Sequence, residues 1–461
     1  MRAIRFWASI LALAACVPAH GVVLSENGRG QALVFPYYTT RTAIDGTFNT
    51  LVSITNASTS VKALKVVLRE GKAGKWAGEW NVYLAAGDMW TAGLVPDVAG
   101  MRLITTDLSC TDPAFPTEGI PVSASFLTFT PDDGLGTDVE RIREGYIEVF
   151  EMGVLTGNAR TYAGAAPRNC NALRAMSPNP DPFAAPSGGL AGGAYLVNVT
   201  SARGFSYDAI ALDALASQPY FGIAQFDDVS FNATAIDPVS VVTFGGTTYR
   251  SRWTKPVDAV TAVLMTREIE GEYVMDAGTA SRTDWVLTFP TRRHYVTTTS
   301  ASGPFHSPLG ATGTGCEWLY VYQQRRDDVD ITSIDFPERP PPGTYACWSA
   351  TVITFLPGFV PLPASSYVFG SHNVTPAGAG AEHGWARVDL PAGALFSADT
   401  MAFSHASGTT SPMGLTLQGL PVVGFAATTF NNGFLDCNGV RCKGNYGATF
   451  KLRPRVNESL G

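Results

Sequence analysis

Gln31-Ala-Leu-Val-Phe-Pro-Tyr-Tyr-Thr39 is the stretch from which the fold can be read. Its aromatic and β-branched residues suit a pleated, packed strand better than a helix. The same grammar recurs over residues 50–56, 62–70 and 80–84 and on to Trp90, each run closed by a polar or glycine-bearing turn. Thr50-Leu-Val-Ser-Ile-Thr55 alternates, with Val52 and Ile54 on one face. In the next run Leu64, Val66 and Leu68 are expected to point inward, and Lys65 and Arg69 to water. Pro36 cannot donate a ladder hydrogen bond, so the opening strand should lie at a sheet edge or bend there.

Strand-like runs return at residues 143–153, 194–200 and 284–290 and through most of the C-terminal third. Short strands joined by tight turns predict an all-β fold of two immunoglobulin-like β-sandwiches, with long loops and a few short helices. At 461 residues the chain exceeds the roughly 250–300 residues over which one core keeps growing. We therefore expect an N-terminal β-sandwich with a loop-rich extension over residues 22–270 and a C-terminal β-sandwich over residues 271–461. Residues 158–186 read as loop. Helices are expected over residues 208–217 and 258–266, the second capped by Asp258. Asp284-Trp-Val-Leu-Thr-Phe-Pro290 echoes residues 31–36, a hint that the two sandwiches are related.

Composition points outside the cytoplasm. Charged residues make up only 15% of the chain, against about 25% in an average soluble protein. The formal charge of −7, with no basic stripe, argues against nucleic acid as a partner. Arg2 and Arg5 followed by an apolar run over residues 6–15 have the pattern of a signal peptide spanning residues 1–21. Two processing routes fit: ordinary cleavage near Ala19 or Gly21, giving a secreted or cell-surface protein, or a lipoprotein box ending at Cys16, giving an outer-membrane lipoprotein. No later stretch has the length of a transmembrane segment. Of seven cysteines, Cys16 falls in the leader, and the remaining six group as Cys110 with Cys170, Cys316 with Cys347, and Cys437 with Cys442.

Three segments carry a resemblance. Gly30-Gln-Ala-Leu-Val-Phe-Pro-Tyr-Tyr-Thr39, Arg143-Glu-Gly-Tyr-Ile-Glu-Val-Phe-Glu-Met-Gly153 and Asp284-Trp-Val-Leu-Thr-Phe-Pro-Thr-Arg-Arg293 resemble, in the same order, segments of a family of uncharacterised secreted or surface proteins of Gram-negative bacteria. The resemblance implies export and a β-rich fold and assigns no site.

No motif assigns a catalytic residue or a cofactor. There is no G-x-S-x-G elbow and no His-Glu-x-x-His, and His294, His306, His372, His383 and His405 follow no ligand spacing. His294 beside Arg292 and Arg293 reads as a solvated strand end, with anion binding as the alternative. Asp132, Asp133, Asp138 and Glu140 are weak calcium candidates, as are Asp327, Asp328, Asp330 and Asp335. Arg141, Arg143, Arg325 and Arg326 stand near enough to neutralise them. Glu148 and Glu151 should fall on opposite faces of one strand, which prevents them from acting as a glycosidase pair. Tyr37, Tyr38, Trp76, Trp80 and Trp90 read as core, with a sugar-stacking platform as the alternative. The glycine cluster over residues 188–193 precedes a strand, so it does not cradle phosphate. The expected function is that of an exported, non-enzymatic surface or extracellular protein in adhesion, matrix or filament assembly, with an unknown surface or matrix partner. Self-association through edge strands is one route to a homo-oligomer. The alternative is a carbohydrate-binding module or glycan-active enzyme.

Overall fold

The stretch around Pro36 forms strand β1, Ala32–Thr39, in the middle of the largest sheet of the computed structural model. That structure describes residues 21–129, 133–176, 183–219, 230–309, 316–325, 344–357, 367–379, 382–390, 393–404, 415–431 and 433–455. In chain order the strands used below are β2, Asn49–Asn56, β3, Lys62–Glu70, β4, Trp76–Leu84, β5, Met89–Asp97, and β6, Gly100–Ile104. They continue with β7, Glu144–Leu155, β8, Leu190–Asn198, β9, Arg203–Asp208, and β10, Ile210–Asp213. The large sheet runs Val23–Leu24, β10, β1, β7, β3, β4, Cys110–Asp112, with Phe183–Ala184 pairing the end of β7. An outer sheet, ordered Ile120–Ser123, β6, β5, β2, β8, β9, packs on one face of it. The chain is all-β and sandwich-type, as expected.

The strand bearing Pro36 is not an edge. β1 pairs β10 on one side and β7 on the other, and the register with β7 slips between Gly145 and Ile147, opposite the proline. The expected bend is there, because a bulge absorbs the missing donor. The expected edge is not, so no route to self-association runs through this strand.

Lys65 and Arg69 do not point to water either; each is 2% exposed. One face of the large sheet carries Leu33, Phe35, Leu64, Val66, Leu68, Ile147 and Val149 against the outer sheet. The opposite face carries Ala32, Val34, Val67, Phe150 and Leu212 against the C-terminal half. Charges on a sheet covered on both faces must pair. Lys65 Nζ lies 3.2 Å from Glu79, Arg69 Nε 2.9 Å from Glu148, and Lys62 Nζ 2.5 Å from Glu151.

Residues 208–217 form no helix; Ile210–Asp213 is a strand and the residues after it are loop. Ile210, Ala211 and Leu212 register with Val34, Leu33 and Ala32, and the ladder that β1 needs on that side outweighs the local helical spacing. Two helices fall instead in the stretch read as loop. α1, Gly157–Gly164, and α2, Cys170–Ala175, bury Ala159, Ala163 and Leu173 against Val61, Tyr83 and Met152. The other expected helix forms as α3, Pro256–Leu264, where Asp258 Oδ2 accepts the Lys255 backbone N–H at 3.1 Å.

In the C-terminal half, β11, Glu268–Val274, lies in a five-stranded sheet with His383–Asp389, so it crosses residue 270 and belongs with the later strands. A second five-stranded sheet runs Val374–Ala379, β13, β12, β14, β15, where β12 is Arg282–Thr288, β13 Ala350–Pro357, β14 Val423–Phe430 and β15 Tyr446–Lys451. The two echoing segments meet: Thr288 at the end of β12 donates to the Pro36 carbonyl at 2.5 Å. Around that contact Phe369 packs against Tyr37, Phe48, Phe205 and Phe425, and Tyr207 stacks on Phe425 at 4.5 Å. The halves thus share apolar cores. Three disulfides, Cys110–Cys170, Cys316–Cys347 and Cys437–Cys442, form as grouped and indicate a non-reducing, extracytoplasmic environment. No described helix is long and apolar enough to cross a membrane.

Candidate binding groove

The charged residues singled out from the sequence are engaged in structure. Asp133 accepts from Arg141 at 2.8 and 2.5 Å and lies 3.2 Å from Lys75. Burial pushes its carboxyl up, but the Arg141 hydrogen bonds and charge outweigh that and hold it below the usual carboxylate range. Glu140 pairs with Arg41 at 2.8 Å and Arg143 at 2.9 Å, while Asp138 is exposed at the start of a 3-10 turn. Asp132 and the candidates Asp327, Asp328, Asp330 and Asp335 lie outside the described residues. Among the described residues no three His, Cys, Asp or Glu side chains converge as a metal site.

Arg292, Arg293 and His294 form a 3-10 turn rather than a solvated strand end, with Arg292 buried and the other two half-buried. Arg292 is 1% exposed, and its Nη1 donates to the Cys347 carbonyl at 2.6 Å. Burial, then the charges of Arg293, Arg69 and Lys255, push the His294 imidazole well below its usual pKa, so the ring is neutral. Glu148 opposes Val67 and Glu151 opposes Leu64, which places the two carboxylates on opposite faces. Tyr37, Tyr38, Trp80 and Trp90 are core residues. Trp76 is half-buried and donates to Glu79 at 3.2 Å.

A surface that residue types alone did not reveal lies on the solvent side of the outer sheet. Strand alternation sends Val52, Ile54, Trp90, Leu94, Leu196 and Phe205 into the core and leaves the intervening positions facing out. Register then aligns those positions in rows. One row runs Ile104, Gly93, Leu51, Tyr195, Ser206 across β6, β5, β2, β8 and β9. Beside it runs a second row, Thr91, Ser53, Gly193, Asp208. The first is a ridge, with Leu51 46%, Ile104 38% and Tyr195 43% exposed. The second is a trough of small and hydroxyl-bearing residues that ends on a carboxylate. Together they bound a groove of about 680 Å³.

The groove has two built features. The Tyr195 ring lies down across β9, because a methyl group on Gly204 would sit 1.9 Å from the phenol oxygen and 2.3 Å from the ring carbon bearing it. This is the diagonal pairing of an aromatic residue with a strand glycine. At the other end, Thr105 Oγ1 donates to the Thr91 carbonyl at 2.6 Å and Asp107 accepts the Thr91 N–H at 3.3 Å, fixing the turn at the mouth. Asp208 is the only charged residue among the described lining residues. Tyr195 was legible as part of a strand; Asp208 was not, because residues 208–217 read as helix, and Gly204 was not, because only register sets it diagonal to Tyr195.

No family model matches this chain, and neither does any curated protein or solved structure.

Proposed function

We propose that this chain is an exported, non-enzymatic surface or extracellular protein that acts by contact, in adhesion, matrix assembly or envelope interaction, with the outer-sheet groove as its contact surface. The observation that carries the reading is the groove itself, a side-chain surface open to solvent on a sheet whose other face is core. The three disulfides support function outside the cytoplasm, and the leader pattern with the family resemblance supports export, whether as a secreted chain or through Cys16. The buried carboxylates Glu70, Glu144, Glu148 and Glu151 pair with Arg141, Arg41, Arg69 and Lys62, which supports a structural role for them.

A sedimentation assay with envelope material of the producing cells tests this reading. The purified mature chain is expected to co-sediment saturably. A chain that stays in the supernatant at every concentration of envelope would sink it.

A further inference from the structure

Resting on that contact reading, we infer that the groove binds an uncharged glycan chain, one sugar ring stacked on Tyr195 over Gly204 and the following rings passing Ser206 into the trough toward Thr91. The ring of Tyr195 is held flat by Gly204 with its outer face open, which is what the apolar C–H face of a pyranose requires. Hydroxyls of Ser53, Thr91, Thr106 and Ser206 line the groove, and each both donates and accepts, matching a ligand made of hydroxyls. From β5 to β9 the trough crosses three strand spacings, about 14 Å, which is room for a short run of rings.

Charge selects within this class. With no cation among its described lining residues and Asp208 at one end, the groove offers nothing to phosphate, sulfate or uronate. Asp208 accepts from neutral hydroxyls instead. A peptide strand is disfavoured, because it would add to a sheet edge. The edge beside the groove is already covered: Thr449 Oγ1 donates to the Ser206 carbonyl at 2.5 Å, and Asn445 Nδ2 to the Ser201 carbonyl at 3.1 Å.

Isothermal titration of the mature, oxidised chain with cello-, xylo- and manno-oligosaccharides tests the assignment, with oligogalacturonate as the anionic probe. At least one neutral series should bind saturably, and oligogalacturonate more weakly. Tyr195→Ala should weaken binding about tenfold while Tyr195→Phe, which keeps the ring, stays within about twofold. Gly204→Val, which leaves Tyr195 in place but lifts it off the sheet, should weaken binding as Tyr195→Ala does. Ser53→Phe, which raises a ring in the trough floor, should abolish it. Unchanged thermal unfolding identifies the variants that remain folded. No binding of any neutral series, tighter binding of oligogalacturonate, or parent-like binding by folded Gly204→Val and Ser53→Phe would overturn the proposal. A chain that sediments with envelope yet binds no neutral oligosaccharide would overturn the glycan assignment alone, and one that does neither would remove both readings.

Discussion

Glu144→Ala should destabilise the protein by about 3–5 kcal/mol, the cost of breaking a buried, hydrogen-bonded charge pair. Glu144 is 1% exposed at the start of β7 and is shared by both halves of the chain. Its Oε1 accepts from Arg41 Nε at 2.8 Å and from the His372 backbone N–H at 3.0 Å. Its Oε2 accepts from Tyr37 Oη at 2.8 Å and Ser371 Oγ at 2.6 Å. Burial, with Glu144 beside it, holds the Tyr37 phenol well above its usual pKa, so it stays a donor. Removing the carboxylate strands four donors at once, and Arg41 keeps only the half-exposed Glu140. Ser371→Ala removes one donor to the carboxylate and the acceptor of the Asn373 N–H and should cost less, about 1–2 kcal/mol. Denaturant titration of both variants checks this; a Glu144→Ala midpoint no lower than that of Ser371→Ala would show that the carboxylate does not join the halves.

Asp284→Asn should flatten the dependence of stability on pH. Asp284 lies fully buried in β12, accepting from Thr354 Oγ1 at 2.8 Å and from the Phe369 backbone N–H at 3.4 Å. Burial pushes its carboxyl up to about 7, against 3.8 for the unperturbed group, and the hydrogen bonds offset only part of that. The folded state therefore binds a proton that the unfolded state has released between about pH 4 and about pH 7. Stability from this group is full below about pH 4 and is lost as pH rises through about 7. Three pKa units at about 1.4 kcal/mol each set the loss at about 4 kcal/mol. Burial also raises Glu79 and Glu151 despite their lysine partners, so the Asp284→Asn variant should keep a weaker slope of the same sign. Unfolding measured at several pH values checks this; equal slopes for parent and Asp284→Asn would contradict it.

How much of this was legible depends on what each residue's partner is. The alternation of Val52 with Ile54 and of Leu64 with Val66 and Leu68 is a local signal, and it marks the strands and one core face correctly. The cysteine grouping was legible because each cysteine pairs with the next one along the chain. Lys65 and Arg69 were misread because the elements that cover them are remote in sequence. Ile210 shares helical spacing with Ala214 and Leu215 and strand spacing with Leu212, and only the open side of β1 decides between them. Pro36 announces a broken ladder, but whether the break is an edge or a bulge is settled by Tyr146, more than a hundred residues later. The groove is the extreme case. Ser53, Thr91, Gly193 and Asp208 come from four separate strands, and only register brings them into one row.

Mass spectrometry of the mature chain recovered from cell fractions shows whether the protein works outside the cytoplasm. The expected chain lies in an extracytoplasmic fraction, begins at or after Cys16 and carries Cys110, Cys170, Cys316, Cys347, Cys437 and Cys442 as three disulfides. A cytosolic chain with residues 1–21 intact and those six cysteines as free thiols would contradict it.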